Sequence, residues 1–335
     1  MNKTHLEMMS ERYPVEKTAM IIDEELQGRP PTYENVMRTP IMAGMLKSPM
    51  FPIGEIMTNL MMVYHFYCYE KFGGRTYEVK ESIAEMLLNT KLDVDSRFLK
   101  SPFEEIILMV PDNLLTIHNR HTGEHKLYTI YVNFNEVSET EKTIRALCAG
   151  KENKASINAV DDALYYFMVK IEEGKVMDSL KKNMKMWEEH TYQKEFSTDK
   201  DVEITPKIFQ FVLNILLYIT SSDSDIRKEK SEYDQLLKKL GGLKSPSKKK
   251  KLQKKIDKTS KLSRYVVGSS VSLNPDERRI YNAVRGKHGF RYKVGGHWRM
   301  QWYGSDERYQ KQKWIRPHFR GPEASEILKS IGVLK

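Results

Sequence analysis

Histidine, arginine and aromatic residues alternate through one short stretch, and there the chain concentrates its chemistry. Gly295-Gly296-His297-Trp298-Arg299-Met300-Gln301-Trp302-Tyr303-Gly304 is followed by Lys313-Trp314-Ile315-Arg316-Pro317-His318-Phe319-Arg320-Gly321-Pro322. Three of the four tryptophans, Trp298, Trp302 and Trp314, fall within seventeen residues here. Aromatic planes beside guanidinium groups can stack unpaired bases and neutralise phosphates together. Arg299, Tyr303, Trp314, Arg316 and Arg320 are therefore the candidate residues for binding a nucleic acid or another partner. His297 and His318, beside Arg299 and Arg316, are the candidates for acid–base cleavage of RNA, although two histidines near arginines make no signature. Strand alternation puts Trp298, Met300 and Trp302 on one face and His297, Arg299, Gln301 and Tyr303 on the other. The tryptophan face can thus equally be the core of a small β-domain, with arginines stacked on its rim.

A second concentration is purely electrostatic. The 335-residue chain carries a net charge of +10, yet residues 238–264 alone hold eleven lysines and Arg264 against Asp257, a local net of +11. The positive charge is therefore one segment, including Lys248, Lys249, Lys250 and Lys251, and not a property of the whole chain. Such a block is either a handle for a polyanion, whether RNA, DNA or an anionic surface, or a solvated linker. Elsewhere the chemistry thins out. His118, His121 and His125 have a spacing a metal could use, but no cysteine joins them and a polar hairpin loop explains them as well. No phosphate-binding glycine loop, dinucleotide fingerprint, zincin helix or nucleophile elbow is present. The reading assigns no metal and no cofactor.

Composition bounds what holds these residues in place. Hydrophobic residues make up 40% and charged residues 30%, which suits a large packed core and excludes wholesale disorder. Two cysteines, Cys68 and Cys148, are too few for a disulfide framework and suit a reducing cytoplasm. The N-terminus has no apolar leader pattern, and the longest apolar run, Ile208–Ile219, is interrupted by Gln210 and Asn214 and is short for a bilayer. The expectation is a soluble cytoplasmic protein with no membrane partner.

Twelve of the eighteen methionines lie in residues 1–86, together with six prolines between Pro14 and Pro52. Clustered methionine is either core filler or an adaptable face for apolar peptides. Glu55 to Phe72 is apolar almost all round and predicts a central buried helix stopped by Gly73-Gly74. A second helix is expected over about Val79–Leu88. Glu105–Val110, Asn113–His118 and Lys126–Phe134 predict an antiparallel meander. Ala163 to Ile171 predicts a further strand, and Val176–His190 a helix. Thr205-Pro206 reads as an N-cap and first helical proline opening a buried helix to about Tyr218. A polar helix over Ile226–Leu240, a strand over Tyr265–Val271 and two strands flanking Gly304-Ser305-Asp306 complete the reading.

The Gly296-His297-Trp298 triplet, the Trp302-Tyr303-Gly304 turn, Trp314-Ile315-Arg316-Pro317 and the Phe319-Arg320-Gly321 close together resemble the C-terminal region of a phage and plasmid family of type V-A anti-CRISPR proteins. The Tyr-rich helix at 55–72, Leu-Met-Val-Pro-Asp at 108–112 and the helix ending before Ser-Asp-Ser-Asp-Ile at 222–226 are similar in order. The resemblance implies a protein that recognises the nascent N-terminal peptide of the effector nuclease and triggers loss of its mRNA. The Lys-rich block is a departure from that pattern.

The reading is thus an α+β protein: a mixed domain over 1–222 that holds a peptide, a basic helical linker over 223–263 and a β-rich domain over 264–335 that engages RNA or the ribosome. An RNA-cleaving enzyme and a nucleic-acid-binding or scaffold protein of a mobile element are the alternatives.

Overall fold

The computed structural model describes residues 4–12, 15–47, 53–119, 121–138, 141–154, 163–189, 199–229, 232–243, 245–256, 264–270, 292–304 and 309–320. An eight-stranded mixed sheet runs through the middle. Its strands are β1 (Arg75–Val79), β2 (Glu105–Met109), β3 (Thr116–Asn119), β4 (Gly123–Glu136), β5 (Lys142–Gly150), β6 (Leu164–Ile171), β7 (Ile226–Lys228) and β8 (Arg264–Val267). The order is β6-β5-β4-β2-β1-β8-β7, with β3 also paired to β4. β1 lies parallel to both β2 and β8, and the other pairings are antiparallel.

Side-chain alternation divides this sheet between two cores, so the fold is an α+β arrangement of three layers. Ile107, Tyr131, Leu147 and Ala149 face one side. Ile106, Leu108, Ile130, Val132, Ala146 and Cys148 face the other. The first side is covered by α1 (His5–Arg12), α2 (Val15–Leu26), α3 (Tyr33–Met37), α4 (Pro40–Leu46) and α5 (Ile53–Phe72). Met9, Met42, Met61 and Met62 are buried in that layer as packing residues. The second side is covered by α6 (Glu81–Leu88), α7 (Val176–Glu189) and α8 (Asp199–Thr220). Where α5 crosses the sheet, fully buried His65 Nδ1 lies 2.8 Å from Glu105 Oε1. Burial pushes the Glu105 carboxyl up against the opposing pull of His65. Both cysteines are buried and outside any disulfide. None of the described helices is long and apolar enough to cross a membrane.

Several elements differ from the sequence reading, each for a local reason. The expected meander is one interrupted hairpin: β2 pairs with Thr129–Asn133 of β4 and β3 with Gly123–Lys126, and residues 111–114 turn between them while Val110 and Leu115 still bond to β4. β1 covers four residues assigned to no element, 75–78, together with Val79, which ends the strand instead of starting a helix. β5 was also unread, because it is buried on both faces and shows no alternation. α8 opens at Asp199 and continues through Pro206, while the Thr205 hydroxyl bonds Tyr165 instead of capping. Ile226–Lys228 is a strand against β8, and the helix expected from there begins only at Glu232 as α9 (Glu232–Gly242). α10 (Pro246–Ile256) follows. β8 stops at Val267, short of the expected Val271.

Candidate nucleic-acid interface

The C-terminal stretch forms a two-stranded ribbon, β10 (His297–Tyr303) against β11 (Tyr309–Ile315), flanked by a second pair, β9 (Tyr292–Val294) and β12 (His318–Arg320). The turn begins at Gly304, whose φ of +92° suits glycine. In the ribbon, Trp298 pairs with Trp314, Met300 with Gln312 and Trp302 with Gln310, giving one face. Arg299 pairs with Lys313, Gln301 with Lys311 and Tyr303 with Tyr309, giving the other.

The base of the tryptophan face is docked into the main core. Trp298 is 9% exposed and Trp314 is 8% exposed. Trp298 Nε1 donates to Asn214 Oδ1 of α8 at 2.8 Å, and the Asn214 amide donates to the Leu87 and Thr90 carbonyls at 2.8 and 2.9 Å. Trp314 Nε1 donates to Thr90 Oγ1 at 3.2 Å, while Tyr218 meets the Trp314 ring edge-on at 5.3 Å. Gly296 permits the approach: a Cβ there would sit 2.4 Å from Thr90 Oγ1 and 3.2 Å from Pro317. Lys91 N donates to Gly296 O at 2.8 Å. Gly296, Trp298 and Trp314 thus fix the ribbon to the body, and Pro317 packs beside Gly296.

Farther along, the ribbon leaves the core. Trp302 is 51% exposed, and Tyr303 and Tyr309 are exposed with rings 5.6 Å apart. Arg299, Gln301, Lys311 and Lys313 are all exposed on the Tyr303 face. Lys311 Nζ lies 5.6 Å from the Tyr303 ring centroid. Three cations and two tyrosines on one flat face can hold phosphates while bases stack.

Among the sequence candidates, the structure brings Arg299 and Tyr303 together on this face and places Trp314 in the core, where its ring is covered by Tyr218. Tyr309, Lys311 and Lys313 were missed: the turn at Gly304 was legible, but the strand register that puts these three opposite Tyr303, Gln301 and Arg299 was not. His297 is half-buried at the base, with Nδ1 3.2 Å from Gly295 O. The backbones of His318 and Arg320 pair with Val294 and Tyr292, their side chains lie outside the described atoms, and Gly321 lies outside the described residues. Arg316 is exposed near Asp225, whose carboxyl it helps hold down after the backbone and side-chain hydrogen bonds from Ser270. Lys248, Lys249, Lys250 and Lys251 stand exposed on α10. His118 pairs with Glu124, not with His125, across the hairpin, and His125 is buried with Nδ1 2.7 Å from Lys151 O and Nε2 2.7 Å from Thr122 Oγ1. Among the described residues no group of three His, Cys, Asp or Glu could hold a metal ion.

Fold and surface together define an α+β protein that carries a cationic, aromatic ribbon on a fixed base. The chain belongs to the AcrVA2-like family, the anti-CRISPR type V subtype A2 family, whose model matches residues 77–319. Its fold is similar to that in a solved structure described as the crystal structure of AcrVA2. The TM-score is 0.50 at 13% identity, over 95% of this chain and 99% of that one. A comparison with curated proteins finds no match.

Proposed function

We propose that this anti-CRISPR protein recognises the nascent N-terminal peptide of a CRISPR effector nuclease and promotes loss of its mRNA in the cytoplasm of the bacterial host. Residues 1–222 supply the peptide site and residues beyond 264 engage RNA or the ribosome. The observation that carries the reading is the ribbon's outer face, where Arg299, Lys311 and Lys313 stand beside Tyr303 and Tyr309 on a base fixed by Trp298 and Trp314. A held peptide raises the local concentration of its own message near that face, and so couples RNA contact to translation.

Support for the peptide half comes from β6, an end strand of the sheet with no strand on its outer side among the described residues. An extended peptide can add to such an edge. Asn183 of α7 occupies it at Lys170, through bonds of 3.1 and 2.8 Å to the Lys170 N–H and C=O. Leu164 and Tyr166, earlier in the strand, pack half-buried against the Met-rich helical layer.

A reporter whose first codons encode the recognised peptide tests the reading. It is compared with a synonymous recoding and a frameshifted copy. Message loss should follow the encoded peptide through recoding and vanish on frameshifting. Loss that tracks nucleotide sequence, or RNA cleavage by the purified protein that disappears in His297→Ala, would favour the nuclease.

A further inference from the structure

We infer that the lysine face of α10 docks on the phosphate backbone of double-helical RNA, as a second surface separate from the ribbon. α10 starts at Pro246, where a missing N–H costs no helical bond, and Lys249 N donates to Ser245 O at 3.0 Å. Its sequence, PSKKKKLQKKI, holds six lysines and no acid. Leu252 and Ile256, one turn apart, share a side; Ile256 is buried, Leu252 is half-buried, and α10 packs against α9. The side turned away carries Lys250 and Lys254, with Lys251 and Lys255 on its flank, all exposed.

Local energetics oppose the start of this helix, although Lys254 and Lys255 suit its last turn. Like charges one turn apart repel, and lysines in the first turn face the positive end of the helix dipole. Lys248 and Lys249 sit in that turn, with no acid beside them. A polyanion along the helix would reverse both penalties, and a local rule broken without gain inside the fold marks a functional surface.

Three features select the occupant. α10 has no aromatic residue, so it offers bases nothing to stack on. Its apolar stripe is turned into the protein, whereas an in-plane membrane helix needs that stripe exposed. What remains is a row of lysines whose Cβ atoms are spaced roughly 5–6 Å apart along the helix, suited to a regular phosphate array read by shape and charge.

The test titrates the full chain against an RNA duplex, a single strand of the same composition and phosphatidylserine vesicles over a range of salt. In the variant K250Q/K251Q/K254Q/K255Q, duplex affinity should fall at least about tenfold at low salt. The slope of log affinity against log salt should flatten by roughly one unit per lost contact. The variant with arginine at the same four positions should keep both. Single-strand binding should survive these changes and fall instead in Tyr303→Ala, so failure here and failure of the ribbon reading give different results. Circular dichroism confirms that each variant stays folded. An unchanged salt slope for the duplex, or binding to vesicles without binding to duplex, overturns the inference.

Discussion

The ribbon is fastened by two tryptophans buried in the main core, whereas α10 is held by the small apolar stripe of Leu252 and Ile256. Both surfaces are cationic, but only the ribbon places aromatic rings among its charges. The contrast separates two jobs that net charge alone merges. Charge on a helix without aromatic rings suits the regular phosphate array of a duplex, while charge and rings on a fixed strand face can also hold an unstacked base. Anchoring matters because stacking needs the rings held in place, whereas long-range attraction does not.

The sharpest break in this contrast removes an anchor. Trp314→Ala or Trp298→Ala should leave a cavity against α8 and cost roughly 3–5 kcal/mol of stability, read as a lower denaturant midpoint. No substitution on the exposed side of α10 should approach that. Asn214→Ala should come next, at roughly 2–3 kcal/mol, because it strands the buried Trp298 N–H and removes one of the two bonds held by each of the Leu87 and Thr90 carbonyls. Chemical denaturation of that variant beside wild type gives the value. At the free end the outcome should reverse. Tyr303→Ala should lower single-strand affinity by roughly 1–2 kcal/mol, while stability stays within about 0.5 kcal/mol of wild type. Paired binding and melting measurements separate the two.

The smallest effect is expected at the root of the segment that carries α9 and α10. The Asp225 carboxylate accepts from Ser270 N at 2.5 Å and from Ser269 Oγ at 3.3 Å, and these bonds hold its pKa below the usual value. A depressed folded pKa means that the stabilisation is present above the unfolded value of about 3.9. It fades as pH falls through the lower folded value. The carboxylate is exposed, so water screens the contact and Asp225→Asn should cost less than about 1 kcal/mol at neutral pH. Stability measured from pH 6 down to 3 should be flatter in the variant than in wild type.

Much of the frame was legible in local patterns. α5 showed itself by apolar residues all round and by Gly73-Gly74, whose Gly73 adopts φ +64° at the helix end. β6, α7 and the two ribbon strands announced themselves by period and turn. β1, β5 and β7 did not. β7 is three residues long and exists through its partner β8, nearly forty residues later. β5 is covered on both faces, and so lacks the polar alternation by which a strand is read.

The candidate site divides in the same way. That Trp298 and Trp302 share a face, and that Arg299 and Tyr303 share the opposite one, follows from the chain itself, because strand alternation is a covalent regularity. That the Lys-rich block is separate from the rest of the charge is likewise a matter of residue order. Which tryptophan is dry was decided elsewhere. Trp298 and Trp302 stand four positions apart on the same face of the strand, yet one is buried and the other half open to water. The difference is set by Asn214 of α8, 84 residues from Trp298, and by Thr90 at the end of α6, 224 residues from Trp314. Burial is a property of two surfaces, and the second surface here is assembled only when distant helices pack on the sheet.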